Sequence, residues 1–127
     1  MITFSPKHHV FLAIKAIDFR KGIRGIAKLC QAQYELNPMS GHYFVFRNKR
    51  KTDAKILYYD SQGFCLVQKR LSAGRFTHWP SMASELVTLT ATQMQVLLNN
   101  GDPQATTEAE AWQPIIEPVD TLTDDET

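Results

Sequence analysis

Residues 44–66 read FVFRNKRKTDAKILYYDSQGFCL, and this stretch decides the fold. Apolar, strand-like runs at 42–46 and 54–60 flank the basic segment RNKRK at 47–51. Two such runs joined by a short polar segment are typical of a β-hairpin. We therefore predict a hairpin that carries four positive charges at its tip.

The hairpin continues into a series of short strands. DSQG at 60–63 is a turn signal, and FCLVQKRL at 64–71 predicts a third strand. RFTHW at 75–79 predicts a short fourth strand, and the alternation of apolar and polar residues at 8–17 predicts a strand near the start. Strands joined by tight turns indicate an antiparallel β-meander of about four to five strands.

Two helices complete the predicted order. Apolar residues at helical spacing over 19–36 predict a basic amphipathic helix, with Asp18 as its N-cap. A C-terminal helix is predicted over 89–98, where Thr90 and Gln93 form a candidate capping box. The predicted fold class is therefore α+β, a meander with one helix before it and one after it.

The charge of the chain divides sharply along its length. The net charge is only +1, yet all 14 Lys and Arg residues lie in 1–80, and that stretch has only four acids. We predict one domain over 1–101 and an acidic, largely disordered tail over 102–127. This split is typical of a polyanion-binding body with an acidic tail. It is equally consistent with a solvated surface whose two halves neutralise each other.

We expect a cytoplasmic protein with no membrane segment and no cofactor. No apolar run approaches the roughly 20 residues that span a bilayer, and the N-terminus does not resemble a signal peptide. Cys30 and Cys65 lie in apolar patterns outside any CxxC pair, which favours free thiols in a reducing compartment. The histidines form no metal-ligand spacing with them, and no phosphate-binding glycine loop is present.

Three clusters of basic residues make the body a candidate nucleic-acid-binding domain. Arg20, Arg24 and Lys28 recur every fourth residue, which aligns them on one helix face. The hairpin tip has a shape that enters a DNA groove or follows the backbone, and a third cluster surrounds the turn after 71. The predicted DNA contacts are Arg20, Lys21, Arg24, Lys28, Arg47, Lys49, Arg50, Lys51, Lys55, Lys69, Arg70 and Arg75.

Neighbouring polar and aromatic residues leave alternatives open. Asn48 favours a turn role, although its amide could read an adenine edge. Aromatic side chains could stack on bases or fill the core. The candidates for stacking are Tyr58, Tyr59, Phe76 and Trp79, whereas Phe44, Phe46 and Phe64 are predicted core residues.

An active site is not expected. Asp53-Ala54-Lys55 matches the Asp-x-Lys fragment of many magnesium-dependent nucleases, and Glu35 could add a carboxylate. Metal catalysis needs several converging oxygen ligands, and a fragment this short arises by chance. The DDE run at 124–126 consists of adjacent acids in a tail, which cannot hold two metal ions in place.

Long, ordered motifs run through the body of the chain. They are DFRKGIRGIAKL at 18–29, the stretch 44–66, KRLSAGRF at 69–76 and WP at 79–80. Together, over about residues 8–101, they resemble the TnpB-type accessory protein of the insertion sequence 66 transposon family. Two departures stand out: Tyr58-Tyr59 replaces the more usual Tyr-Trp, and one extra residue precedes Trp79.

The resemblance implies a small protein that acts beside a separate DDE-type transposase and is needed for movement of the element. It implies that the catalytic acids belong to that transposase, and it assigns no catalytic residue to this chain. The leading hypothesis is a non-catalytic accessory protein that binds transposon-end DNA, with the acidic tail competing for the basic surface. The alternative is a protein-interaction adaptor for the transposase, with WQPII at 112–116 as a docking motif. A magnesium-dependent nuclease is the third.

Overall fold

The computed structural model describes residues 8–82, 84–105 and 113–114 of the chain. Its elements are β1 Val10–Ala13, α1 Ile23–Ala32, β2 Tyr43–Arg47, β3 Asp53–Tyr59, β4 Phe64–Arg70, β5 Leu86–Leu89, α2 Ala91–Leu98, a 3₁₀ turn Pro103–Ala105 and β6 Gln113–Pro114. The strands form one sheet in the order β4-β3-β2-β1-β5-β6. The α+β class is therefore confirmed, with a largely antiparallel sheet and two helices.

The central part of the sheet is the predicted run of strands. β2 and β3 form an antiparallel hairpin in which Arg47 opposes Ala54, and β3 pairs with β4 from Asp53–Arg70 to Tyr59–Phe64. The Asp60 carboxylate closes the turn between β3 and β4 by accepting the backbone N–H groups of Gln62 and Gly63 at 3.0 Å. The hairpin, the turn and the third strand of the meander are confirmed.

The remainder of the sheet departs from a simple meander. β1 pairs with β2 in parallel, with Val10 opposite Tyr43, and α1 forms the crossover between them. Parallel neighbours need such a crossover because a tight turn cannot join them. β5 pairs antiparallel with the other side of β1 and was not predicted. The all-antiparallel arrangement expected from the sequence is wrong at β1.

The predicted strand at 75–79 is also wrong, because this segment packs its aromatic rings against a face of the sheet. Phe76 and Trp79 are buried, and their rings meet edge to face at 5.6 Å between centroids. The indole Nε1 of Trp79 donates to the carbonyl of Ala13 at 2.9 Å. This hydrogen bond fixes the segment to the end of β1 instead of to a neighbouring strand.

The two helices begin in different ways. α2 has the predicted capping box: Gln93 N–H donates to Thr90 Oγ1 at 3.0 Å, and Thr90 N–H donates to Gln93 Oε1 at 2.9 Å. α1 begins at Ile23 after Gly22, with no side-chain cap. The prediction that Asp18 caps this helix is wrong, because its carboxylate binds Arg20 outside the helix.

Each face of the sheet carries its own apolar core. On one face, Ile26 and Cys30 of α1 pack with Phe44 and Phe46. Burial raises the pKa of the Cys30 thiol to about 12, so this thiol is protonated at neutral pH. Both cysteines are free, as expected. Fully burying each large apolar side chain contributes about 1.5–3 kcal/mol, so this layer attaches α1 firmly.

The opposite face is covered by α2 and by the segment that follows β4. Met94 and Leu97 of α2 pack into a cluster with Leu12, Val45 and Trp79. No helix in the described ranges is long and apolar enough to cross a membrane. Because α1 and α2 pack on opposite faces of the sheet, they form the outer layers of a three-layer packing.

The predicted tail begins close to packed structure. Pro103, in the 3₁₀ turn after α2, is buried, and Thr88 of β5 pairs with Gln113 of β6. The residues at 106–112 and 115–127 lie outside the described part of the chain. The division into a domain over 1–101 and a disordered tail over 102–127 stays a prediction.

Candidate nucleic-acid interface

Asn48 organises the tip of the β2–β3 hairpin. Its Oδ1 accepts the backbone N–H groups of Thr52 at 2.9 Å and Asp53 at 3.1 Å. Lys51 adopts a positive φ of 63°, and its N–H donates to the Asn48 carbonyl at 3.2 Å. A short amide side chain commonly closes a turn in this way. The structure thus supports the turn role expected for Asn48.

The Asp53 carboxylate locks this turn to the neighbouring strand. Its side chain is only 3% exposed. One oxygen accepts from Thr52 Oγ1 at 2.6 Å and Asn48 Nδ2 at 3.2 Å, and the other accepts from Gln68 Nε2 at 2.8 Å and Arg70 Nε at 2.9 Å. Burial alone raises its pKa, but the donors outweigh burial and hold the pKa below its ordinary value.

Both ends of the Asp-x-Lys fragment are therefore used inside the protein. Lys55 is 7% exposed, and its Nζ donates to the carbonyls of Phe19 at 2.8 Å and Lys21 at 3.0 Å. The same ammonium lies 4.9 Å from the centroid of the Phe19 ring. Within the described ranges, no group of three or more His, Cys, Asp and Glu residues could hold a metal ion. The fragment serves the hairpin and the start of α1.

Three loops meet at the end of the sheet that carries this turn. Ile17 N–H donates to the Arg47 carbonyl at 3.0 Å, which joins the loop after β1 to the hairpin. Leu71 N–H donates to the Thr52 carbonyl at 2.9 Å, and Phe76 N–H donates to the Lys51 carbonyl at 2.8 Å. Two of the predicted basic clusters, the hairpin tip and the loop after β4, are thus joined through the backbone.

We call the cations that remain accessible at this end the basic rim: Lys49, Arg50, Lys51, Arg70 and Arg75. The Arg70 side chain is 75% exposed even though its Nε is bound to Asp53. In the described part of the chain the salt bridges are Arg70–Asp53 and Arg20–Asp18. The other four rim cations have no carboxylate partner there, so their charges are not neutralised by described neighbours.

Three of the predicted DNA-contacting residues instead donate hydrogen bonds to backbone carbonyls of the protein. Arg47 is half-buried, donates from Nε to the Ile14 carbonyl at 3.0 Å, and has its pKa lowered by burial. Lys55 binds the two carbonyls before α1. Lys69 Nζ donates to the Leu98 carbonyl at 2.6 Å. This carbonyl lies at the C-terminal end of α2, where the negative end of the helix dipole also stabilises a cation.

The cations around α1 form a second exposed group. Arg24 and Lys28 are exposed on the helix, and Lys21 is exposed just before it. Arg20 precedes the helix and binds Asp18 through two guanidinium nitrogens, which lowers the pKa of that carboxyl to about 2. The predicted alignment of Arg20 with Arg24 and Lys28 along one helix is wrong, because Arg20 is not helical.

The aromatic candidates do not join the rim. Phe76 and Trp79 are buried in the core. Tyr58 and Tyr59 lie at the far end of β3, where their rings contact Tyr43 at 5.3 Å and Phe64 at 5.1 Å. The candidate interface therefore offers positive charge, and none of the four aromatic candidates lies beside it for stacking on bases. Sequence reasoning missed the Asp53 network, for which the only local signal was the short Asn-to-Asp spacing of the turn.

Comparison with known proteins assigns the chain to a protein family. The family described as IS66 Orf2 like protein matches residues 8–108. The protein named Uncharacterized protein y4hO from Sinorhizobium fredii is 36% identical over 117 residues, covering 90% of this chain and 96% of that protein. Uncharacterized protein y4jC from the same organism is 34% identical over 80 residues, covering 63% and 68% respectively. No solved structure matches. The chain belongs to the IS66 Orf2-like family, which associates it with transposition of insertion sequences.

Proposed function

We propose that this protein is a non-catalytic accessory factor of transposition that binds DNA through the basic rim. The observation that carries the proposal is the set of accessible cations gathered at one end of the sheet, four of which have no carboxylate partner in the described part of the chain. Like charges held together repel one another, mildly in water. A DNA backbone replaces that repulsion with attraction and releases condensed counterions.

The rigidity of the turn adds to the proposal. Asn48 and Asp53 fix the backbone that carries Lys49, Arg50 and Lys51 before any partner arrives. Preorganisation of this kind lowers the conformational entropy lost on binding. Arg70 is held by a single nitrogen, so the rest of its guanidinium can meet a phosphate. Lys21, Arg24 and Lys28 would extend the DNA-binding surface from the basic rim along α1.

DNA affinity measured against salt tests the proposal. Fluorescence anisotropy of a labelled duplex carrying the element's end should give a logarithm of affinity that falls linearly with the logarithm of salt concentration. The slope should be about −0.9 for each neutralised phosphate. Replacing both Lys49 and Arg50 with Ala should reduce the steepness by about 2 and lower affinity about tenfold or more at low salt. A flat salt response of the unaltered protein would contradict the proposal.

Two control variants locate the contact. Exchanging the residues as Lys49→Arg with Arg50→Lys keeps both charges and should leave the salt slope unchanged, because phosphate contacts carry little base information. Replacing Arg24 and Lys28 with Ala removes the same charge from α1 and should cost less affinity. Equal losses from the helix and the hairpin tip would mean that net charge matters and the rim does not.

The same cations fit an acidic face of the separate transposase, which is the adaptor hypothesis. A pull-down with that transposase, performed with and without nuclease treatment, separates the two. Association that survives nuclease and is lost with Lys49→Ala and Arg50→Ala favours the adaptor. Association that disappears with nuclease favours DNA as the partner.

The acidic tail is proposed to act as a counter-charge to the rim. Replacing Asp124 and Asp125 with Asn and Glu126 with Gln keeps the chain length and removes three negative charges. If the tail competes for the rim, DNA binding should tighten several-fold at low salt and much less at high salt. Unchanged affinity at both salt concentrations would remove the tail from the proposal.

A further inference from the structure

β4 is the terminal strand of the sheet and has an unusually regular outer edge. All seven of its residues pair with β3 in an unbroken register from Phe64 to Arg70, with no bulge and no proline. Within the described ranges, nothing pairs with its other side. A terminal strand of this kind presents a row of unused backbone donors and acceptors, which pair readily with another strand.

The register identifies which backbone groups point outward. Leu71 N–H donates to the Thr52 carbonyl and Asp60 N–H donates to the Gly63 carbonyl, so the bonded pairs fall on the odd-numbered residues of β4. Bonded and non-bonded positions alternate along an antiparallel pair. The N–H and C=O groups of the even-numbered residues therefore face away from β3: Phe64, Leu66, Gln68 and Arg70.

The side chains of this edge do not protect it. Phe64 and Leu66 are only partly buried against the α1 side, and Val67 is only partly buried against the α2 side. Charged side chains commonly guard exposed edges, but the two on β4, Lys69 and Arg70, both lie at one end of the strand. Lys69 binds the Leu98 carbonyl, and Arg70 binds Asp53. The middle of the edge is thus uncharged, with Leu66 on the α1 face and Val67 on the α2 face.

We propose that β4 pairs antiparallel with β4 of a second copy of this chain, about a two-fold axis at Val67. In this register Leu66 opposes Gln68 of the second copy, and Phe64 opposes Arg70 of the second copy. All four outward residues then have a bonded partner. If the register of the two strands shifts by two residues in either direction, one outward residue of each β4 has no β4 residue opposite it. The strand length therefore favours the centred register. Both cores become continuous across the axis.

The charges of the strand fit this pairing. Arg70 lies opposite Phe64 of the second copy, where a guanidinium can rest on an aromatic ring. Lys69 lies opposite Cys65, whose Sγ is 3.6 Å from an Asp60 carboxylate oxygen, so the basic end of one strand meets the acidic end of the other. A parallel arrangement would place Lys69 and Arg70 of the two copies side by side. The inference does not depend on DNA binding.

A cysteine placed on the axis tests the pairing. In the variant Val67→Cys with Cys65→Ser, the two new thiols occupy a non-bonded antiparallel pair, with Cα atoms about 4.5 Å apart. Mild oxidation should produce a covalent dimer within the non-covalent one. The matched control is Leu66→Cys with Cys65→Ser, in which the two Cα atoms are about 8 Å apart, so the thiols should not join. Equal cross-linking of both variants, or none of Val67→Cys, would overturn the proposal.

Removal of a single outward donor gives a second, independent test. Leu66→Pro and Leu66→Ala both remove the leucine side chain, but only proline removes the N–H, which the isolated domain does not use. Sedimentation equilibrium should show a dimer for the unaltered protein and the alanine variant, and at least tenfold weaker association for the proline variant. Circular dichroism checks that both variants fold. An unaltered protein that stays monomeric at high micromolar concentration would show that the edge is reserved for something other than a second copy.

Discussion

Lys55 and Arg50 carry the same charge in the same hairpin, yet they occupy opposite kinds of environment. Lys55 is buried and donates to the carbonyls of Phe19 and Lys21. Arg50 is exposed at the tip and has no carboxylate partner in the described chain. The difference comes from the alternation of the strand, which turns Lys55 under α1, whereas the turn projects Arg50 into solvent. A count of basic residues alone therefore overstates a binding surface.

The comparison separates three inward cations, Arg47, Lys55 and Lys69, from the accessible ones, which are the five rim cations and the four around α1. Inward cations replace missing donors for backbone carbonyls, and the protein folds around them. Apart from Arg70, which binds Asp53, the rim cations make no side-chain hydrogen bond or ion pair within the described part of the chain. Variants of each group should separate effects on stability from effects on binding.

Asp53→Ala should be the most destabilising single change. It removes the buried carboxylate that accepts from Asn48, Thr52 and Gln68, and it frees Arg70. Loss of a buried, charged hydrogen-bond acceptor costs about 3 kcal/mol. Urea unfolding followed by fluorescence measures the loss. Asp18→Ala is the matched control, because that carboxylate is exposed and its pair with Arg20 is screened by solvent. Equal losses at the two sites would contradict the importance of burial.

Lys55→Met should be next, because methionine keeps most of the apolar stem and removes the ammonium. The carbonyls of Phe19 and Lys21 then lose a buried donor, at a cost of about 2 kcal/mol. Hydrogen exchange should show the loss concentrated at the start of α1. Lys28→Met, on the exposed side of the same helix, should leave unfolding unchanged. An unchanged Lys55→Met protein would place Lys55 with the rim cations instead.

Local signals in the sequence predicted the part of the fold that local contacts build. Strand-like runs beside RNKRK predicted the hairpin, and Thr90 with Gln93 predicted the start of α2. Each of these features is complete within about ten residues, so its chemistry can be read directly. The hairpin tip of the candidate site belongs to the same class.

Contacts between distant residues could not be read in this way. The parallel pairing of Val10 with Tyr43 depends on where α1 packs, and no local period encodes it. The strand Leu86–Leu89 is only four residues long and merges with the apolar start of α2. The burial of Lys55 likewise follows from two carbonyls more than 30 residues away. Charge was visible in the sequence, but its surroundings were not.

Acid should weaken the end of the sheet opposite the rim. The backbone N–H of His9 donates to Nδ1 of His42 at 3.0 Å, which requires that nitrogen to be unprotonated. Burial, and then the nearby His8, lower the pKa of His42 from its ordinary 6.5. The unfolded chain therefore binds the proton more readily than the folded chain. The stabilisation that unprotonated His42 contributes is full above pH 6.5 and is lost as the pH falls through the lowered pKa.

Urea midpoints measured between pH 7.5 and 5.0 check this expectation. His42→Asn is the matched variant, because an amide oxygen can replace Nδ1 as the acceptor and does not titrate in this range. This variant keeps His8 and His9, and its urea midpoint should fall less between pH 7.5 and 5.0 than that of the unaltered protein. An identical decline in both proteins would show that His42 is protonated without consequence for the junction of β1 and β2.

The rim should give the smallest effect on stability and the largest separation between stability and binding. Lys49→Ala together with Arg50→Ala removes no described hydrogen bond or ion pair of those side chains, because the turn is held by Asn48 and Asp53. Removing two neighbouring like charges should leave the melting temperature unchanged or slightly raised. The same double variant should lose most in the salt-dependent DNA assay. A marked loss of stability would mean that these cations hold the turn itself, and the distinction between inward and rim cations would then disappear.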